Sequence, residues 1–301
     1  MVENKNISIV LVNWFSSNHI IRLISNLKEK AYDKEKLFFI IIDNTNGKDT
    51  KLYDKIKLIN DLQKISIISF LPKLKQRSIS HSLGLDRAMK EINSFYTLII
   101  DPDTYVFQKK WDLFCIEKLK KGDIAVGAPY PNWKLGKVHN FPSPIFFFSK
   151  TKWILSDKTS WYPYPKKSKK LFNFFIRKFV RLFGFSTRKR LNNNFLVKNL
   201  SYYLEYFTGI SSPDTGYHFY IKSKKNNLKS TVFKSYNFLK NDNKKKNTLI
   251  KLSNEFELYF YEQIPFLTHQ YTSNIFYYKT GANPKNWINY IKQLEKSDDK
   301  K

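Results

Sequence analysis

Residues 80–106 read SHSLGLDRAMKEINSFYTLIIDPDTYV. The first half places Leu83, Leu85, Ala88 and Met89 at helical spacing and predicts a helix over 80–92. The second half is a continuous apolar run, Phe95–Ile100, that ends on Asp101-Pro102-Asp103. A short apolar run without alternation is the pattern of a strand buried on both faces of a parallel sheet. Similar runs lie upstream at Ile7–Val12 (ISIVLV), Leu37–Ile42 (LFFIII) and Ile65–Phe70 (ISIISF). Helical spacing recurs between them, over 19–30 with Ile20, Leu23, Ile24 and Leu27 on one face, and over 53–62. Strand–helix alternation predicts an α/β fold with a mostly parallel central sheet and helices on both faces. Ligands of such sheets bind beyond the carboxyl ends of the strands. Asn13, Asp43 and Asp101 each follow a predicted strand at that end.

Beyond residue 110 the pattern is less regular. Ala125–Pro131 and Pro142–Phe148 are strand candidates, Thr215–Lys225 and Asn286–Glu295 are helix candidates, and a polar tail begins at Ser297. Residues 158–198 hold 12 Lys or Arg and no Asp or Glu. Within KKSKKLFNFFIRKFVRLFGFSTRKR (166–190), Lys170, Arg177 and Arg181 share one helical face, while Leu171, Phe172, Phe175, Phe179 and Leu182 fall opposite. A basic amphipathic helix of this kind suits the surface of an anionic membrane. It equally suits an ordinary helix packing its aromatic face on the core.

The chain has 301 residues, 42% of them hydrophobic, which is enough for a sizeable core. Cys115 is its single cysteine, so no intrachain disulfide forms, as suits a reducing compartment. No signal-peptide pattern and no apolar run long enough for a transmembrane helix is present. The expected location is therefore cytoplasmic, with peripheral attachment to the inner face of a membrane as an option. The net charge of +28, from 53 Lys and Arg against 25 Asp and Glu, points to an anionic partner: nucleic acid, membrane surface or substrate. Compositional drift toward Lys, Asn, Ile and Phe accounts for part of it.

Two carboxylates two residues apart, after a buried strand, are suited to share a hard divalent cation. Mg²⁺ and Mn²⁺ take oxygen ligands, and substrate phosphates commonly complete their shell. Where the leaving group is a diphosphate, such a cation neutralises the charge it develops. The alternative for Asp101-Pro102-Asp103 is a solvated turn.

In order and spacing, ISIVLVNWFSS (7–17), IIIDNTN (40–46) and residues 80–106 resemble the family 2 glycosyltransferases of GT-A (Rossmann-like) fold, especially rhamnosyltransferase-like members. SSPDTGYHFYIKSKKNNLK (211–229) is more loosely similar to their Val-Asp-Thr-Glu-Trp segment and the basic helix after it. The resemblance covers roughly 7–110 and, loosely, 205–230. It implies a hexosyltransferase-type enzyme that moves a sugar from a nucleotide-sugar donor to the hydroxyl of a glycan or lipid-linked acceptor. The transfer would invert the anomeric centre and use Mn²⁺ or Mg²⁺, and cell-surface polysaccharide or glycolipid synthesis is the setting. By the same resemblance Asp43 contacts the base or ribose, and Asn13 and Phe15 border the nucleotide pocket. Asp101 and Asp103 hold the metal diphosphate, Asp214 is the general base, and His269 is a late metal or diphosphate ligand. The chain then divides into a donor-binding half (1–155), a basic insertion (156–200) and an acceptor-side half with its tail (201–301).

Some positions depart from that pattern. Gly216 and Ser211 stand where the family often has acidic residues, which puts the base role of Asp214 in competition with simple helix capping. His81, His139, His218 and Arg87 carry weaker expectations. A nucleic-acid-binding protein is the main alternative, invited by the charge and the 17% aromatic content. Against it stands the lack of any RNP-like, zinc or helix-turn-helix signature, and nucleic acid is not an expected partner. A nucleotidyltransferase is the other alternative, but residues 13–18 contain no glycine for a phosphate loop.

Overall fold

A computed structural model describes residues 6–59, 62–73, 77–132, 134–164, 167–182, 194–211, 214–236, 248–270 and 283–298. The apolar runs form the central strands: β1 (Ile7–Asn13), β2 (Leu37–Asp43), β3 (Ile65–Ser69) and β4 (Tyr96–Ile100). They lie side by side and parallel, in the order β3-β2-β1-β4. The sheet continues through β7 (Phe146–Lys150), β6 (Ala125–Ala128) and β8 (Ser230–Val232), and β7 alone runs antiparallel to its neighbours. This is a mostly parallel sheet with helices on both faces.

The reason the strands read as unbroken apolar runs lies in where alternate residues go. Ile7, Ile9 and Leu11 of β1, Phe39 and Ile41 of β2, and Leu98 and Ile100 of β4 enter one core with α1 (Ser17–Lys30), α2 (Thr50–Lys57) and α4 (Trp111–Lys120). Val10 and Val12, Ile40 and Ile42, and Ile99 enter a second core on the opposite face. There they meet α3 (Arg77–Ala88), α5 (Thr151–Leu155) and α8 (Tyr217–Lys225). β1, β2 and β4 are therefore buried on both sides, and periodicity of two is invisible in their sequence, while β3 at the sheet edge is half-buried.

A smaller antiparallel sheet stands beside the first, in the order β5 (Thr104–Val106), β11 (Ile264–His269), β10 (Glu257–Tyr261) and β9 (Lys234–Ser235). Its own core is Tyr105, Leu252, Phe256, Leu258, Trp287 and Ile291, closed by α9 (Thr248–Glu255) and α10 (Pro284–Asp298). The two sheets exchange strands along the chain: β8, from the later part, joins the large sheet beside β6, and β5, from the earlier part, joins the small sheet beside β11. The helices α6 (Lys167–Leu182) and α7 (Phe195–Ser211) complete the description. Among the described residues no helix is long and apolar enough to cross a membrane.

Several elements differ from their sequence expectation. The helix expected over 53–62 spans Thr50–Lys57, and the strand expected over 142–148 starts only at Phe146. Residues before Asp214 form a long helix, α7, which no regular apolar spacing announces. The side chains of Arg177, Phe179, Arg181 and Leu182, and residues 183–193, lie outside the described residues, so the proposed facing of Lys170 with Arg177 and Arg181 is not described.

The strand β5 is short, and one side chain holds its inner edge. Asn26 of α1, buried, donates from Nδ2 to Val106 O (3.0 Å) and accepts from Val106 N at Oδ1 (2.8 Å). Its amide thus mimics a neighbouring strand and fastens the chain just after Asp103. Replacing Asn26 with Ala strands two buried backbone groups, each worth about 1–3 kcal/mol. Asn26→Ala is expected to lower unfolding free energy by roughly 2–6 kcal/mol in a urea titration.

Candidate active site

Three strands of the large sheet end level with one another, at Asn13, Asp43 and Ser69. Asn13 and Asp43 are fully buried and bonded to each other, Asn13 Nδ2 to Asp43 Oδ1 at 2.9 Å. Asn13 Nδ2 also donates to Asp49 Oδ2 (3.2 Å), and its Oδ1 accepts from the amide and hydroxyl of Ser16 (3.0 Å each). Asp43 Oδ1 accepts from Thr45 N (3.1 Å) and Thr45 Oγ1 (2.6 Å), and Oδ2 from Gly47 N (2.8 Å) and Tyr53 Oη (2.8 Å). Burial alone would raise the Asp43 carboxyl, but these donors outweigh it and hold it below its ordinary value. Burial and the Asp43 bond together push the Tyr53 phenol up to about 12. The side chains of Asn13 and Asp43 thus shape the turns after β1 and β2 from within.

What the turn after β1 presents outward is aromatic. Phe15, held at a left-handed φ of 52°, packs edge-to-face with Trp14 (centroids 5.5 Å apart), and both rings are more than half exposed. A bulky side chain at positive φ marks a backbone that its surroundings over-determine. Beneath, Asn44 donates to Ser80 O (2.9 Å) at the start of α3, close to Gly84, where a Cβ would stand 3.0 Å from Asn44 Oδ1.

Asp101-Pro102-Asp103 occupies the joint between β4 and β5, where the two sheets meet. The ladder register sets His269, last in β11, opposite Thr104 on one side and Glu257 on the other. His269 Nε2 lies 3.1 Å from Asp103 Oδ1 and 3.7 Å from Asp101 Oδ2, and its Nδ1 lies 2.9 Å from Glu257 Oε2. Glu257 also accepts from Tyr259 Oη (2.9 Å) and faces Lys134 Nζ at 3.5 Å. Burial disfavours charge on all three groups. The opposed charges prevail: His269 is raised well above the usual imidazole range, Glu257 is lowered, and Asp103 falls to about 2. His81 Nε2 approaches Asp101 Oδ1 from α3 at 3.5 Å.

Sequence reasoning did not single out Glu257, Lys134, His19 or Arg22. His19 and Arg22 lie one turn apart on α1, and Asp103 acts electrostatically on both. Their atoms His19 Nδ1 and Arg22 Nη1 are buried and have no hydrogen-bond partner among the described residues. Arg22 lies over the ring of Trp287 (5.2 Å). Only the register of the small sheet brings Glu257 to His269, so no local signal marks it.

By residue type the donor set suits a divalent cation, which on binding would displace the proton from His269 Nε2. Two carboxylates and an imidazole nitrogen converge, and the other imidazole nitrogen is tied to a carboxylate, the arrangement that orients metal-ligating histidines. Among the described residues no group of three or more His, Cys, Asp or Glu side chains already stands in metal-binding geometry.

Asp214 lies elsewhere, in a cleft of about 400 Å³ lined also by Tyr130, Lys137, His139, Tyr217 and Tyr220. It does not cap α8. The capping position is Gly216, and the Asp214 carboxylate pairs with Lys137 Nζ at 2.8 Å. Gly216 has φ of 85°, and a Cβ there would come within 2.9 Å of the Trp161 ring, so the acidic side chain of the family pattern has no room. Trp161 is itself fixed by its amide to Asp86 Oδ1 (2.7 Å). His139 Nδ1 lies 2.9 Å from Tyr130 O, Arg87 pairs with Glu91, and burial lowers His218 despite Asp86 nearby.

No protein-family model and no curated protein matches the chain. Among solved structures it is similar to S. aureus TarS 1–349, at 15% identity over 53% of this chain and 50% of that one, with a TM-score of 0.38. The same fragment in complex with UDP aligns at 14% identity and a TM-score of 0.39, again over 53% of this chain and 50% of that one. The mannosyltransferase PcManGT from Pyrobaculum calidifontis, in complex with GDP-Man and Mn²⁺, is 11% identical over 67% of this chain and 69% of that one, with a TM-score of 0.40. The chain thus spans about half the length of the TarS fragment it matches.

The Asp43 cluster has a testable signature. Because the folded carboxyl titrates below its unfolded value of 3.8, its contribution is complete above that value and fades as pH falls through the folded one. Asp43→Asn replaces an acceptor with a donor facing donors. It is expected to destabilise the protein by about 2–3 kcal/mol near neutral pH. The gap to wild type should narrow as pH falls from about 5 toward 2, measured by urea unfolding at each pH.

Proposed function

We propose that this protein is a glycosyltransferase that moves a sugar from a nucleotide-sugar donor to an acceptor hydroxyl, with a divalent cation at Asp101, Asp103 and His269. The observation that carries it is the convergence of those side chains at the carboxyl end of β4, with His269 Nε2 3.1 and 3.7 Å from the two carboxylates and Nδ1 held by Glu257. A bound Mn²⁺ or Mg²⁺ would supply charge to neutralise the leaving nucleoside diphosphate.

The chain's own residues divide the remaining work. Asn13, bonded to Asp43, acts from beneath by holding the turn that carries Trp14 and Phe15, whose exposed rings suit a nucleotide base. His19 and Arg22 offer buried, unpartnered nitrogens beside Asp103, suited to diphosphate oxygens. Asp214 is the candidate general base, and the tyrosine-lined cleft around it is the candidate acceptor site. The Asp214 carboxylate, paired with Lys137 Nζ at 2.8 Å, takes the proton of the acceptor hydroxyl in this scheme. Direct displacement by that hydroxyl inverts the anomeric centre. The acceptor in this scheme is a glycan or a lipid-linked glycan.

Sugar donors carrying UDP, GDP and dTDP, screened for Mn²⁺-dependent thermal shift and nucleotide release, test the proposal. One donor class is expected to respond, and no response from any would refute it. Glu257→Gln, which keeps the shape but weakens the orientation of His269, should lower Mn²⁺ affinity by about 10- to 100-fold. Asp103→Asn should lose more, with its circular dichroism unchanged. Wild-type turnover in a folded Asp103→Asn protein would remove the metal role.

A further inference from the structure

Helices α6 and α7 pack against each other and leave an apolar surface uncovered. On α6, Asn173 is buried and bonded to Tyr164 Oη (3.1 Å), while Leu171, Phe172, Phe174 and Phe175, away from Asn173, are all more than half exposed. On α7, Ser201 is buried, while Phe195 (73% exposed), Leu196 (75%), Tyr203 (61%) and Phe207 (51%) fall on the opposite arc. Isolated exposed apolar residues need no account, but a continuous aromatic face on two neighbouring helices marks a binding surface.

The charge around that face selects its partner. Residues 158–198 span α6 and the start of α7 and carry 12 basic and no acidic residues. Lys170 and Lys198 flank the exposed aromatics on the two helices. Around Phe172, Phe175, Phe195 and Leu196 the sequence carries cations and no acidic residue, Glu205 lying further along α7, and apolar side chains so bordered fit the boundary between acyl chains and anionic headgroups. The same helix leads to the cleft. Gly209 and Ile210 line it, and a Cβ on Gly209 would lie 1.9 Å from Leu135 O, so α7 seats directly on the loop that carries Lys137.

We propose that the α6–α7 pair docks this protein on an anionic lipid bilayer, with Phe172, Phe175, Phe195 and Leu196 entering the interface. Docking is independent of the proposed transfer, and because α7 walls the cleft it holds the cleft close to the headgroups. The test is flotation with phosphatidylcholine vesicles, with and without phosphatidylglycerol, for wild type and the variant Phe172→Ser/Phe175→Ser/Phe195→Ser/Leu196→Ser. These side chains are exposed, so the variant should keep the wild-type circular dichroism and melting temperature. A second variant, Lys170→Glu/Lys198→Glu, tests the charge separately. Wild type should float with the anionic vesicles only, and each variant should bind them roughly tenfold or more weakly. The inference is overturned if wild type does not float or if the serine variant floats equally. It is also overturned if sedimentation shows that the face instead joins two copies of the chain, with the variant monomeric and lipid without effect.

Discussion

A carboxylate buried away from water is tolerable only beside a cation or several donors, and Glu257 has both. It holds His269 and Tyr259 by hydrogen bonds and faces Lys134, and through His269 it reaches Asp103. This chain of opposed charges crosses the small sheet from β10 to β11 and ends at the joint with the large sheet. Removing His269 would leave the buried Glu257 carboxylate with Lys134 as its one opposed charge among the described residues, so the two buried members constrain each other. The acidic joint, the register of β10 with β11 and the course of the loop after β6 are thereby linked in one electrostatic unit.

The loop between β6 and β7 carries this linkage outward. Lys134 stands beside Glu257, and Lys137 pairs with Asp214, so one short segment touches both the acidic centre and the cleft. Gly136 belongs to the same segment, at φ of 72°, and a Cβ there would lie 2.5 Å from Tyr206 O of α7. Close backbone approach between loop and helix leaves little room for either to shift alone. The segment thereby couples α7, the cleft and the acidic joint by contact rather than by distance.

The carboxyl end of β1 and β2 is built on another principle. Its polar residues, Asn13, Asp43, Thr45 and Asp49, face inward and satisfy each other, while the aromatic Trp14 and Phe15 face out. That inversion of the usual pattern costs backbone strain at Phe15 and is stable because the buried network over-determines the turn. Rigid turns that expose flat apolar rings lower the entropy lost on stacking a ligand.

Much of the large sheet was legible in the sequence. Unbroken apolar runs between amphipathic helices follow from burial on both faces, and a residue's neighbours in sequence suffice to show it. Asn13, Asp43 and Asp101 were legible for the same reason, since position after a strand is local information. The antiparallel turn of β7, the four-stranded small sheet and helix α7 were not, because their residues find partners far along the chain. His269 was noticed only through a resemblance, and Glu257 not at all. What the sequence by itself determined is the alternation of elements and the acidic turn at the end of β4. Only the tertiary structure decided that Glu257, His269 and Asp103 meet, and that Asp214 pairs with Lys137 instead of capping its helix. Strand register and loop closure across long separations set those contacts, and neither is encoded in local spacing.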